Sequence, residues 1–364
     1  MGLTISFFGS SLVSSYWNGA ATYYRGIIKA LYKKGHQITF YEPDIYERQQ
    51  NRDIENPYYA NVVVYKPDQD ELDFHLDQAR KSDVIIKASG VGIFDELIEK
   101  EIVSIKRSEQ IIIFWDVDAP ATLDRVIHNP KDYFAPLISK YDIVLTYGGG
   151  EPVSKTYLIL GAKECYPIYN AFDPETHFPV PPQEKYKAIL SFLGNRLPDR
   201  EKRVEHFLFE TADAMPKEKF ILGGSGWGDK WMPENIKYLG HVFTGDHNTF
   251  NVSPLALLNI SRDSMAKYGF SPATRVFEAA GAGACVITDF WKGVDQFFEP
   301  EKEILIAKDK NDIVDILKHL TIEKSKEIGS NALRRVLSEH TYTHRAELLE
   351  NILFRKIDKG LFVK

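Results

Sequence analysis

Short apolar runs alternate with longer amphipathic ones along nearly the whole chain. In the first half the strand-like runs are LTISFFG (3–9), HQITFYEP (36–43), DVIIKASG (83–90), QIIIFWDVD (110–118), DIVLTYGG (142–149) and KECYPIYNA (163–171). Between the first two, NGAATYYRGIIKALYKKG puts Ala21, Tyr24, Ile28 and Leu31 on one helical face, and Gly35 reads as its stop. Strands that alternate with helices predict a parallel sheet covered on both faces.

The alternation breaks once. NAFDPETHFPVPPQEKYK (170–187) is proline-rich and has little periodicity, so it reads as a linker. Beyond it the pattern restarts with AILSFLGN (188–195), a helix from Asp199 to about Ala214, KFILGGSGW (219–227), IKYLGHV (236–242), LALLNIS (255–261), ACVITDF (284–290) and EILIAKD (303–309). The prediction is α/β: two Rossmann-like doubly wound domains facing a cleft. The N-terminal domain is expected over 1–172, the linker over 173–187 and the C-terminal domain over 188–340. Ligands of such sheets bind at the carboxyl ends of the strands.

Bulk properties narrow the class. A length of 364 residues suits two domains. A net charge of −6 argues against a nucleic-acid binder, which would show a basic excess. No apolar run approaches the roughly 20 residues of a spanning helix. The N-terminal MGLTISFFGSS has no basic region before its apolar run. Cys165 and Cys285 both fall in strand-like runs, as buried thiols of a reducing compartment would. The expected location is cytoplasmic.

Candidate chemistry concentrates in GFSPATRVFEAAGAGACVITDF (269–290). Ser271 is expected as an N-cap with Pro272 at the first helical position. The amides of Ala273 and Thr274 would then face an anion, helped by the helix dipole. Ser271, Arg275 and Glu278 share one face, so an anion site, a cation and a carboxylate line up. A carboxylate at that distance suits a ribose diol. The Gly281–Ala284 run is expected to let the helix end pack on the sheet. Equally, Arg275 and Glu278 suit a plain surface pair worth a few tenths of a kcal/mol.

Other clusters have two readings as well. LSFLGNRLPDR ends a strand in Gly194, Asn195 and Arg196, which suits a diphosphate or a simple turn. LGGSGWG offers Gly224, Ser225 and Trp227, either as a phosphate cradle with an aromatic wall or as a flexible turn. Arg262 lies in a candidate pocket lid, LNISRDSMAKYGF. Asp116 and Asp118 alternate along an extended segment, which puts both carboxylates on one side. One suits a general base towards a hydroxyl or a hold on a sugar, the pair suits a divalent cation, and a solvated loop or a helix cap fits equally. Asn18 and Gly19 are candidates for acceptor contacts. Tyr16, Trp17 and Tyr23 suit sugar stacking or a packed core. No dinucleotide fingerprint, Walker loop, zinc motif or nucleophile elbow occurs, which counts against those enzyme classes.

Together these pieces resemble GT-B glycosyltransferases, and more closely the CgeB-like (spore maturation protein) family. The matching strings are WDVDAPATL, DIVLTYGGGEPV, LGNRLPDR, LGGSGW, YLGHV, LNISRDSMAKYGFSPATRVFEAAGAGACVITD and EHTYTHR, spread from about residue 110 to 345. The resemblance implies a nucleotide-sugar donor in the C-terminal domain and an acceptor in the N-terminal one. It gives Glu278 the ribose and gives the Ser271–Arg275 turn, with Thr274, and the Gly194–Arg196 loop the diphosphate. It also implies a final helix, about 341–364, that crosses back to the N-terminal domain. Many GT-B enzymes carry two glutamates eight positions apart, whereas Phe270 stands eight before Glu278. The expected activity is metal-independent transfer of a sugar to a hydroxyl, with a UDP-sugar as first guess and no cofactor. A nucleotide-sugar epimerase and a non-catalytic binding protein are the alternatives.

Overall fold

A computed structural model describes residues 2–16 and 18–361. The chain forms two compact units, one built from residues up to Tyr169 together with those from Tyr342 onward, the other from Asn170–Thr341.

In the first unit, β1 (Thr4–Phe8), β2 (Gln37–Pro43), β3 (Asn61–Tyr65), β4 (Val84–Ala88), β5 (Ile111–Asp116), β6 (Ile143–Thr146) and β7 (Cys165–Pro167) form one sheet. Its order is β3-β2-β1-β4-β5-β6-β7, and every pairing is parallel. In the second unit, β8 (Leu190–Leu193), β9 (Phe220–Gly223), β10 (Ile236–Gly240), β11 (Ala256–Asn259), β12 (Val286–Asp289) and β13 (Leu305–Ala307) are ordered β10-β9-β8-β11-β12-β13, again all parallel. Both orders are those of a Rossmann sheet, reversing between β1 and β4 and between β8 and β11. Such reversals open a crevice at the strands' carboxyl ends.

Burial explains why most strands are visible in the sequence. β4, β5, β6, β11 and β12 are buried along their whole length, as central parallel strands must be, so they read as largely apolar runs, Lys87 in β4 apart. The edge strand β3 is partly exposed and short, and the sequence pattern does not reveal it. Phe192, Phe220, Leu222, Trp227 and Leu258 belong to the second unit's core, each burial contributing ~1.5–3 kcal/mol. After β8 the helical run is α over Glu201–Val204, π over Glu205–Phe209 and α again over Glu210–Ala214.

One boundary differs from expectation. The proline-rich segment 173–187 is part of the second unit rather than a free linker. Polar side chains hold it there: Ser253 Oγ accepts from the Gln183 amide at 2.9 Å, and Tyr186 donates to Asp246 at 2.8 Å. The helix Tyr342–Leu361 lies with the first unit, beside the helix Ala21–Lys33. Gly26 is required at that crossing, because a Cβ there would stand 2.2 Å from the Tyr342 ring. Trp17, and residues 362–364 of the expected terminal helix, lie outside the described residues. Among the described residues no helix is long and apolar enough to cross a membrane, and no cluster of three His, Cys, Asp or Glu could hold a metal ion.

Candidate functional site

The loops after β8 and β9 meet backbone to backbone. Gly224 has φ +117°, and a Cβ on it would lie 2.3 Å from the Gly194 carbonyl oxygen. The Gly194 amide donates to the Gly223 carbonyl, and the Asn195 side chain accepts from the Ser225 amide, both at 2.9 Å. These glycines therefore let one loop lie against the other. Trp227 completes the lock and corrects its expected role as a ligand wall. It is fully buried, and its indole N–H donates to the Gly194 carbonyl at 2.9 Å. Gly224 and Trp227 are buried and shape the strand end, and Asn195 and Ser225 are exposed beside them.

The arginine facing Gly194 is not the one expected. Arg196 is held by carboxylates, Glu201 at 2.8 Å and Asp229 at 2.9 Å. Arg262 is likewise taken up by Asp199 at 2.6 Å. Arg200, at the start of the following helical run, turns back instead. Its Nη2 donates to the Asn195 carbonyl at 2.5 Å, and its guanidinium lies 5.5 Å over the Phe192 ring. Arg275 lies 5.4 Å over the same ring and 3.4 Å from the Asn259 Oδ1, at the end of β11. A Cβ on Gly194 would meet Nη2 of Arg200 at 2.9 Å and Nη2 of Arg275 at 3.0 Å. Two guanidinium groups thus converge where β8 ends, at the sheet's reversal point. Burial, and Arg275 beside it, pull Arg200 down to about 9. Burial also lowers Arg275, against the opposing pull of Glu278.

The helix that carries Arg275 begins later than expected. It spans Thr274–Ala282, with Ala273 in extended conformation at the cap position. Ser271 is not the N-cap: its Oγ donates to the Gly269 carbonyl at 3.0 Å, within the preceding turn. The first helical amides are therefore those of Thr274 and Arg275 rather than Ala273 and Thr274. Phe270 just before has φ 48°, and its amide donates to the Lys292 carbonyl at 2.6 Å, so this turn is held in a strained shape. The small residues at the helix end serve two purposes. Gly283, at φ +84°, stops the helix, while Gly281 makes room for the Phe172 ring 2.4 Å from where its Cβ would be. The close neighbour is thus Phe172, not the sheet.

Glu278 lies one turn below Arg275 and 3.9 Å from His177 Nε2. His247, whose Nε2 lies 3.1 Å from the Val242 carbonyl, feels the charges of Glu278, His177 and Arg275. Burial lowers its pKa, and Glu278 opposes that. Neither histidine stands out in the sequence, since His177 lies in the proline-rich segment and His247 follows an unremarkable loop.

The first unit corrects the aspartate pair. The chain turns immediately after β5, so the two carboxylates do not share a side. Asp116 is fully buried and accepts from Ser89, Thr122, Tyr157 and the Asp118 amide at 2.9, 3.1, 2.5 and 3.0 Å. Burial raises its pKa, and those four donors oppose the rise. Asp118 is exposed at the start of the helix Ala119–His128. Asn18 is buried and spent on its own loop, accepting from Ser10 at 2.9 Å and donating to the Ser11 and Ser14 carbonyls at 2.8 and 3.0 Å. Gly19 is exposed, with open space where a side chain would be. Tyr23 belongs to the core, donating to the Ile168 carbonyl at 2.5 Å. Tyr16 is 40% exposed and remains accessible to a ligand.

Comparison with known proteins agrees with this architecture. Residues 200–351 match the family model described as glycosyl transferase-like. No curated protein matches the chain in sequence. The sucrose-phosphate synthase of Thermosynechococcus elongatus superposes with a TM-score of 0.72 at 12% identity, over 98% of this chain and 100% of that one. The chain has the GT-B glycosyltransferase fold. Anabaena HepE, solved in complex with UDP and glucose, shares the GT-B fold at TM-score 0.67 and 12% identity, over 97% and 100% of the two chains. An α-glucosyltransferase solved with UDP-glucose and DNA containing an abasic site does so at 0.69 and 12%, over the same shares.

Proposed function

We propose that the protein is a CgeB-like glycosyltransferase that moves a hexose from a nucleoside diphosphate to a hydroxyl acceptor. The convergence of Arg200 and Arg275 on Gly194 carries the proposal. Neither guanidinium has a carboxylate within ion-pair distance among the described residues, and Glu278, Asp199 and Asp289 act on the pair only from further off, so the two cations can take up a bound anion. Forked guanidinium groups match diphosphate oxygens. The Thr274 and Arg275 amides add the positive end of a helix. Glu278, a turn further on, accepts from the ribose hydroxyls.

As the sugar leaves, negative charge grows on the diphosphate. Preorganised cations in a partly buried site stabilise that charge, which is the largest contribution in many enzymes. The arginine pair supplies this charge without a metal ion. UDP is the proposed nucleotide, since HepE and the α-glucosyltransferase were solved with it. The acceptor is assigned to the first unit, where Asp118, exposed after β5, is the candidate base. Asp116, fully buried and already accepting from four donors, is not. The CgeB-like assignment is supported by the motif strings from WDVDAPATL to EHTYTHR. Buried Cys165 and Cys285 suit a cytoplasmic setting.

A thermal-shift series with UDP, GDP, dTDP, CMP, NAD and ATP tests the donor site, with Glu278→Ala alongside. One diphosphonucleoside should raise the melting temperature of the native protein and not of the variant, because a ligand stabilises only the state it binds. A rise with NAD or ATP alone would sink the proposal.

A further inference from the structure

The helical run after β8 changes its winding where it borders another depression on the second unit. Residues Glu205–Phe209 form a π turn between two α segments. Such insertions sacrifice hydrogen-bond geometry and gather at functional positions. Beside the turn lies a pocket of about 430 Å³, whose lining includes Lys202, Arg203, His206, Asp263, Phe290 and Lys308. None of these residues is assigned to the nucleotide above.

The pocket's charges are unequally committed. Arg203 is anchored, with Nη2 at 2.5 Å from the buried Asp289 carboxylate and Nη1 at 3.6 Å from Asp263. Its guanidinium also lies 5.7 Å over Phe207, within the π turn. The Arg203 Nε is a buried donor with no acceptor among the described residues. His206 lies 3.3 Å from Glu210, which also binds Lys310 at 2.9 Å. Lys202 and Lys308 are different. Both are exposed, and neither has a carboxylate within ion-pair distance among the described residues. Phe290 presents a ring that is 53% exposed in the same lining, directly after β12.

We propose that this pocket binds a phosphate monoester. Lys202, Lys308 and the anchored Arg203 line the pocket together with a single carboxylate, Asp263. A dianion with three acceptor oxygens uses all three donor groups, whereas a carboxylate offers one charge and two oxygens. The Phe290 ring covers the apolar part of the ester. The pocket is built from the second unit alone and does not depend on the nucleotide assignment. It would give the protein a second ligand, recognised by phosphate rather than by nucleotide.

Isothermal titration of the full chain with inorganic phosphate and with phenyl phosphate tests this, in a phosphate-free buffer with UDP in excess. The Arg275→Met variant without UDP is a second background in which the nucleotide site is disabled. In both, phenyl phosphate should bind at one equivalent and more tightly than inorganic phosphate. The double variant Lys202→Ala/Lys308→Ala should weaken both ligands about tenfold or more, as loss of charged hydrogen bonds does. Its unliganded melting temperature should not change, because neither lysine is ion-paired. Phe290→Ala should weaken phenyl phosphate and leave inorganic phosphate alone. Absence of saturable binding, equal affinity in the double variant, or equal binding of sulfate would overturn the proposal. Loss of phosphate binding in Arg275→Met would also overturn it, by placing the phosphate in the nucleotide site.

Discussion

Arg200 and Arg275 approach one point from two different elements, and Gly194 is the residue that leaves that point empty. A Cβ there would stand 2.9 and 3.0 Å from their Nη2 atoms. In Gly194→Ala both guanidinium contacts are with the far ends of flexible side chains and can move, but the Cβ would also stand 3.0 Å from the buried Phe192 ring, which must give slightly. The variant should lose no more than about 1–3 kcal/mol, the cost of a small overpacking. Its UDP affinity should fall about tenfold or more, since each displaced charged hydrogen bond is worth about 1.5–3 kcal/mol. Calorimetric titration beside a urea melt separates the two effects. A large stability loss with unchanged affinity would show that Gly194 serves the backbone only.

Arg200 should trade stability for binding. Burial and Arg275 lower its guanidinium from the ordinary arginine value to about 9. Between those two values the unfolded chain binds more protons than the folded one, so stability rises with pH across that window. Below about 9 the buried charge is a constant cost. Arg200→Met should therefore raise the melting temperature of the unliganded protein at pH 7, as removing uncompensated buried charge does. Relative to the variant, the native protein should regain stability as pH climbs past 9. The same variant should lose UDP binding, and native UDP affinity should decline above pH 9 as Arg200 deprotonates. Melting curves at pH 7, 8, 9 and 10 check the sign.

Much of the fold is legible in the amino-acid sequence, and what is not has physical causes. Parallel order follows from alternation, because buried central strands such as β5 and β12 cannot hide their apolar runs. Glu278 and Arg275 are visible through helical spacing alone. Arg200 is not, since sequence distance from Gly194 favours Arg196. Only the return of the chain at the start of the helical run brings Arg200 to the strand end and gives Arg196 to Glu201 and Asp229. The aspartate pair misleads for a related reason. Alternate spacing sorts side chains only while the chain stays extended, and it turns after Asp116. His177 sits in a segment without periodicity, and tertiary hydrogen bonds of that segment, not its own pattern, place it near Glu278.

The two aspartates should separate cleanly by mutation. Asp116→Ala leaves the hydroxyls of Ser89, Thr122 and Tyr157 and the Asp118 amide without their acceptor in a buried site. A loss of about 2–4 kcal/mol in a urea melt is expected from orphaned buried donors. Asp118→Ala, at an exposed position, should stay within about 0.5–1 kcal/mol of native stability. If Asp118 is the base, its variant should keep UDP affinity and lose turnover. Equal stability losses in the two variants would contradict the burial difference.

Trp227 provides the sharpest contrast between a ligand wall and a structural lock. Its ring is fully buried in the second unit's core, and its N–H is the donor to the Gly194 carbonyl. Trp227→Phe keeps an aromatic ring in the core but removes that donor, leaving the carbonyl a partner short. About 1–3 kcal/mol of stability should be lost. UDP affinity should weaken only as far as the Gly194 loop relaxes, within about threefold. A residue that touched the ligand would behave the opposite way, with affinity falling steeply while the melting temperature held. Measuring both quantities on the same preparation decides it, because the indole is wholly covered and acts on the Gly194 loop without touching a ligand itself.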